Sequence, residues 1–209
     1  MNIRNIIFDF DGVILDSIPI KTKAFRELFS VYPTNIVDEF IEYHLQNGGV
    51  SRYEKIRYFY EKLLKKEILE NEILDYANIY SKSTKEELAN QKYLINDTLN
   101  CIKKNYKKYN MHIVSGADEQ DLKYICDRLD ISKYFMTING SPIKKCEIIR
   151  TILNIYKYKK DETCLIGDSI NDFEAAKSNG ILFFGYNNTR LEYLNRYIST
   201  FDEFDWSKR

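Results

Sequence analysis

The stretch IIFDFDGVILDS, from Ile6 to Ser17, decides how this chain folds. An apolar run of the kind that fills a buried strand ends in two aspartates, Asp9 and Asp11, with only Phe10 between them. A third, Asp16, follows closely. Ionised carboxylates this close repel one another and sit badly beside an apolar core. Something positive has to offset them, and the rest of the chain indicates what.

Residues 3–10 read as a strand buried on both faces, as in a parallel sheet. Further short apolar runs lie at MHIVSG (111–116), YFMTING (134–140), ETCLIGD (162–168) and ILFFGY (181–186), with a sixth at 197–200. Helical patterns separate most of them. Residues 118–129 begin with an acidic first turn, and 145–156 repeat apolar residues at helical spacing. Residues 170–178 stop at Asn179-Gly180, a C-cap signal. Strands alternating with helices predict an α/β fold with a doubly wound parallel sheet. One region breaks the alternation. Val37, Phe40, Ile41 and Leu45 follow helical spacing, as do Ile56, Phe59, Tyr60 and Leu63, then Ile73, Tyr76, Ala77 and Tyr80. Residues 18–86 are therefore predicted to be an all-helical insertion, between core segments 1–17 and 87–209. Residues 94–109 are predicted as the helix returning to the sheet. The Tyr and Phe stripes of the insertion read as core.

The 209 residues suffice for one domain carrying an insertion. Lys and Arg balance Asp and Glu at 31 each, which gives no bulk attraction to nucleic acid or an anionic membrane. Basic runs at 62–66, 103–108 and 157–160 are scattered and read as solvated helix faces. Cys101, Cys126, Cys146 and Cys164 have neither zinc nor CxxC spacing. Asp9 breaks the first apolar run, so it does not read as a signal peptide, and no stretch has the apolar length to span a bilayer. The expectation is a cytoplasmic, reduced protein without nucleic-acid or membrane partners, its oligomeric state left open.

Ligands in α/β sheets bind beyond the C-terminal ends of the strands. Strand one ends in Asp9-Phe10-Asp11-Gly12, and strand two in Ser115-Gly116. Gly140-Ser141-Pro142, then Lys144 and Lys145, follow strand three. Strand four ends in Gly167-Asp168, with Asp172 four residues on. Clustered carboxylates of this kind are stabilised by a hard divalent cation, and oxygen ligands suit Mg²⁺. Mg²⁺, a lysine, a hydroxyl and glycine-freed backbone N–H groups together form an anion site, shaped for phosphate. A lone Asp or Ser at a strand end is usually a helix cap; four strand ends supplying this set in order are not.

The segments DFDGVILDS, VSGA, GSPIKK and GDSINDFEAA resemble, in order, the four motifs of the haloacid-dehalogenase-like hydrolases. The helical insertion is similar to the small cap of the phosphoglycolate-phosphatase and β-phosphoglucomutase branch. The resemblance implies that Asp9 attacks phosphorus, forming an aspartyl-phosphate. It implies that Asp11 is the general acid–base and that its backbone carbonyl helps hold Mg²⁺ together with Asp9 and Asp168. Ser115 and backbone N–H groups around Gly116 would bind phosphoryl oxygens. Lys145 or Lys144 would neutralise the phosphate, and Asp172 would orient the lysine or a metal-bound water. Asp16 would cap the helix that enters the insertion.

Of the two lysines, Lys145 shares a face with Ile148, Ile149 and Ile152 through helical spacing, whereas Lys144 is rotated by roughly 100°, toward solvent or the cap. In NGGVSRYEK (47–55), Ser51 reads as a helix N-cap, and Arg52 or Lys55 as a substrate contact. His44 and His112 read as structural. The expected activity is Mg²⁺-dependent hydrolysis of a small phosphorylated metabolite, such as a sugar phosphate. A phosphosugar mutase and a non-catalytic binding module are the alternatives. The Gly167-Asp168 form of the fourth motif favours a phosphatase, because mutases of that branch tend to carry a Glu-Asp pair there.

Overall fold

A computed structural model describes residues 2–194 and 196–202. Six parallel strands form one sheet: β1 (Asn5–Phe8), β2 (Asn110–Asp118), β3 (Thr137–Ser141), β4 (Thr163–Gly167), β5 (Leu182–Tyr186) and β6 (Tyr197–Ile198). Their spatial order is β3-β2-β1-β4-β5-β6. The chain lays strands to one side of β1 and then crosses to the other. The crevice between β1 and β4 is therefore the topological switch point, where such sheets bind ligands.

Both sheet faces are covered, which explains the unbroken apolar runs. Ile6 and Phe8 of β1 point into one cluster with Met111, Ile113 and Ile166. Ile7, between them, points into the other with Val114, Leu165, Ile149 and Ala176. Helices α5 (Asn96–Asn105) and α6 (Glu119–Arg128) flank the first face, α7 (Lys145–Tyr156) and α8 (Ile170–Asn179) the second. Gly180 ends α8 in the left-handed region at φ 69°, where glycine carries no Cβ penalty.

Four helices precede the return to the sheet: α1 (Ile18–Leu28), α2 (Thr34–Gln46), α3 (Arg52–Tyr58) and α4 (Glu70–Leu88). They enclose a separate core rich in aromatic rings. Phe29 and Phe59 stack at 3.8 Å, and Phe40 meets both edge-on. A π-helical stretch, Phe59–Leu63, continues α3. It brings Tyr60 into a hydroxyl chain with Tyr32 (2.6 Å) and Tyr76 (2.5 Å). The fold is thus an α/β sheet carrying an inserted helical cap.

Two local expectations are corrected. Strand three starts at Thr137 and not at Tyr134, because Ser132–Tyr134 close a 3₁₀ turn in which Tyr134 N–H donates to the Ile131 carbonyl. Asp16 does not cap α1. The N-cap is Ser17, Asp16 is exposed, and the Ser17 hydroxyl is taken by Asp11.

His112 is fully buried in β2, between Thr137 Oγ1 (2.8 Å) and the Tyr158 hydroxyl (3.1 Å). Burial pulls its pKa from 6.5 down to about 4. A histidine depressed in the folded state adds stability above pH 6.5 that is lost as pH falls toward 4. The loss amounts to about 3 kcal/mol. Denaturant unfolding across this window should show a shallower fall for His112→Phe than for wild type. Parallel curves would contradict this.

Candidate active site

The switch-point crevice gathers the acids. Asp9 follows β1 and is 1% exposed; its N–H donates to the Ile166 carbonyl of β4. Asp168 follows β4. One carboxylate oxygen from each of Asp9, Asp168 and Asp172 lies within 4.8 Å of the others. Asp172, in the first turn of α8, is held by Ser169, whose N–H (3.1 Å) and hydroxyl (2.7 Å) donate to its Oδ2.

Lys145 opens α7 and is buried. Its ammonium lies 2.9 Å from Asp9 Oδ1 and pairs with Asp172 Oδ1. Burial alone would lower the pKa of Lys145, but the two carboxylates win and hold it above its usual value. Lys144 is the exposed N-cap residue of the same helix. Asp9 Oδ1 also accepts from the Phe10 N–H at 2.8 Å. Among the described residues no donor is paired with Asp9 Oδ2.

Charge is unbalanced here. Asp9, Asp172 and Asp11 are ion-paired to two ammoniums, Lys145 and Lys21, and with Asp168 the carboxylates outnumber these paired cations by two when all are ionised. The strain shows in the acids themselves. Burial, then Asp172, pushes Asp9 up to about 7 despite Lys145. Burial, then Asp9 and Asp172, holds Asp168 well above the usual carboxylate range. A dication fits this donor set. It would match the excess charge and meet only carboxylate oxygens, the ligands a hard cation takes.

Asp11 is treated differently. Lys21 Nζ and Ser17 Oγ each reach its carboxylate at 2.5 Å. Burial would raise its pKa, but Lys21 and Ser17 together bring it below the ordinary value. Gly12 turns the chain with φ +75°, and a Cβ there would run into the Asp168 carboxylate. Ser115 is buried in β2, its hydroxyl accepting from the Ala117 N–H at 3.1 Å.

The cap loop at residues 47–50 lies directly on this site. The Asn171 side chain donates to the Gly48 carbonyl at 2.8 Å. A Cβ on Gly116 would overlap the Gly49 carbonyl, so two glycines make the close approach possible. Ser51 starts α3 as expected, accepting from the Glu54 N–H. Arg52 is buried against the core: its guanidinium pairs with Asp121 of α6 at 2.7 Å and lies 5.0 Å from the centre of the Tyr80 ring. Ser81 of α4 donates to the same carboxylate, and the Tyr53 hydroxyl donates to Asp118. Lys55 turns inward to His44. A cavity of about 380 Å³ between cap and core is lined by Asp11, Asp168, Lys21, His44, Arg52 and Lys55, among others. Lys21 and His44 were not singled out as site residues from the sequence. Helical spacing from Ser17 places Lys21 one turn on, a signal for the first; nothing in the sequence separates His44 from a core histidine.

A family model for haloacid dehalogenase-like hydrolases matches residues 6–186. The chain belongs to this family. The chain is similar to a phosphorylated carbohydrates phosphatase of Thermotoga maritima, 26% identical over 84% of this chain and 81% of that protein. A phosphoglycolate phosphatase of Vibrio parahaemolyticus is 24% identical over 88% and 83%. The fold is shared with a β-phosphoglucomutase from Clostridium difficile, at TM-score 0.76 and 19% identity over 98% and 94% of the two chains.

Because the loop at 47–50 needs the space at Gly116, Gly116→Ala should lift it from the core. Amide exchange at residues 48–50 is expected to speed up about tenfold or more, with β1 and β4 unchanged. Unaltered exchange in the loop would contradict this packing.

Proposed function

We propose that this chain is a Mg²⁺-dependent phosphomonoesterase that hydrolyses a small phosphorylated metabolite through an aspartyl-phosphate on Asp9. The observation that carries the reading is the buried Lys145 bridge. It fixes Asp9 Oδ1 and leaves Oδ2 free to attack phosphorus, while its ammonium is available to the phosphoryl oxygens. The two phosphatase relatives support the reaction class.

Asp9 and Asp168 would hold the metal, with the Asp11 carbonyl and Asp172 beside them. Bound there, Mg²⁺ supplies charge neutralisation between carboxylate and phosphate. Asp11 works on the leaving group and on water. Paired to Lys21 and Ser17 it is ionised, the form that takes a proton from attacking water. Donating a proton to the leaving oxygen requires Lys21, on cap helix α1, to move away first. Ser115 and the amides near Gly116 cradle the phosphoryl oxygens. Arg52, committed to Asp121, joins cap to core.

A phosphatase suits the fourth motif better than a mutase does. A Cβ at Gly167 would overlap the Asp172 side chain, so this packing has no room for a glutamate at that position. The setting is an enzyme acting on a small molecule. No helix among the described residues is long and apolar enough to cross a membrane.

Phosphate release from a panel of sugar phosphates and organic-acid phosphates tests the reading. Activity is expected with Mg²⁺, is abolished by chelator, and is inhibited by Ca²⁺, whose looser coordination misplaces Asp9. Asp9→Asn should release no phosphate while keeping its fold. Near wild-type turnover by Asp9→Asn, or full activity in excess chelator, would overturn it.

The two lysines separate on the same substrates. Lys145→Ala should lower kcat/KM by about 3 kcal/mol of transition-state stabilisation. Lys144→Ala, at an exposed cap, should cost less than about 0.5 kcal/mol. A larger loss at Lys144 would reverse the assignment.

A further inference from the structure

Lys55 is a buried charge on α3. It is 4% exposed, yet no carboxylate lies within ion-pair distance of its ammonium among the described residues. Its two close contacts both come from His44 of α2: the ring Nδ1 at 2.9 Å and the backbone carbonyl at 3.2 Å. An ammonium has no lone pair to accept with, so it donates to Nδ1. The ring is neutral, because burial, then Lys55 and Lys21, hold its pKa near 3. A neutral ring that accepts at Nδ1 carries its proton on Nε2. That Nε2 is buried and has no partner among the described residues.

Beside the cavity there lie, among the described residues, an ammonium with no ion-pair partner and a buried ring N–H with no acceptor. Both residues line the same cavity as Asp11 and Asp168. Buried polar groups left in this state cost stability, and a fold that needed only packing here would place an apolar side chain. Burial, then Lys21, brings the pKa of Lys55 down to about 7, with Asp11 and Asp168 pulling the other way. Lys21 cannot serve as one, being positive itself and committed to Asp11.

We propose that Lys55 and His44 form a subsite for a second acidic group on the substrate, a carboxylate or a second phosphate on the leaving-group side. This rests on the phosphatase reading and narrows its substrate class to phosphomonoesters that carry such a group. Lys55 supplies the charge and His44 the Nε2–H donor; neither touches the reacting phosphorus. The cavity volume, at the low end of small-molecule sites, suits a compact metabolite bound at both ends.

Matched ligands decide it. Calorimetry with Asp9→Asn protein and Mg²⁺ compares 3-phosphoglycerate with glycerol 3-phosphate, which differ in the carboxylate. Fructose 1,6-bisphosphate against fructose 6-phosphate tests a second phosphate in the same way. At least one acid-bearing ligand should bind about tenfold or more tighter than its partner. Which pair shows the preference identifies the source of the acid. Adding Lys55→Met, of similar length and uncharged, should bring the ratio toward one. His44→Phe should lower it as well and stands in if the lysine variant does not fold. Equal affinities within both pairs, or a ratio unchanged in the variants, would overturn the subsite. Binding is read without turnover, so this failure is distinct from wild-type protein releasing no phosphate, which would overturn the phosphatase reading alone.

Discussion

Lys145 lies between Asp9 and Asp172 with almost no access to solvent, and the architecture of the site follows from that bridge. Four carboxylates gathered at one sheet edge would push the strand ends apart. One ammonium, delivered by the start of α7, ties the end of β1 to the first turn of α8. Ser169 completes the tie by capping α8 onto Asp172. The bridge is incomplete by design of charge: Asp168 gains no ammonium and stays protonated more readily than an ordinary aspartate. With all four carboxylates ionised, the donor set suits a dication.

The cap extends the same logic across the cavity. Lys21 reaches down to Asp11, and Arg52 reaches across to Asp121, so two cap charges are spent on holding the domains together. Lys55 is not spent. On α3, it hydrogen-bonds the ring and the backbone carbonyl of His44 and forms no ion pair among the described residues. The loop at Gly48 and Gly49 packs on Gly116 more closely than a Cβ there would allow.

Much of this was legible in the sequence, for identifiable reasons. Strand ends and their aspartates follow from apolar runs that stop abruptly. The inward face of Lys145 follows from its spacing to Ile148, Ile149 and Ile152, which lie in the core beside it. Boundaries were less legible where backbone hydrogen bonding decides, as at the 3₁₀ turn before β3 and at the Ser17 cap. Partners remote in sequence were not legible at all. Arg52 reads as free for substrate until α6 brings Asp121 to it, and His44 reads as core until α3 sets Lys55 against its ring. These are tertiary contacts that periodicity does not encode.

The central claim is that Asp9 is the nucleophile, and one measurement addresses it most directly. Wild-type protein is mixed with a turned-over phosphomonoester and Mg²⁺, quenched in acid within a single turnover, digested and analysed by mass spectrometry. The account predicts one added phosphoryl group on the peptide that contains Asp9, absent when Asp9→Asn protein is treated alike. A phosphoryl group on any other peptide, or on the Asp9→Asn peptide, would contradict it.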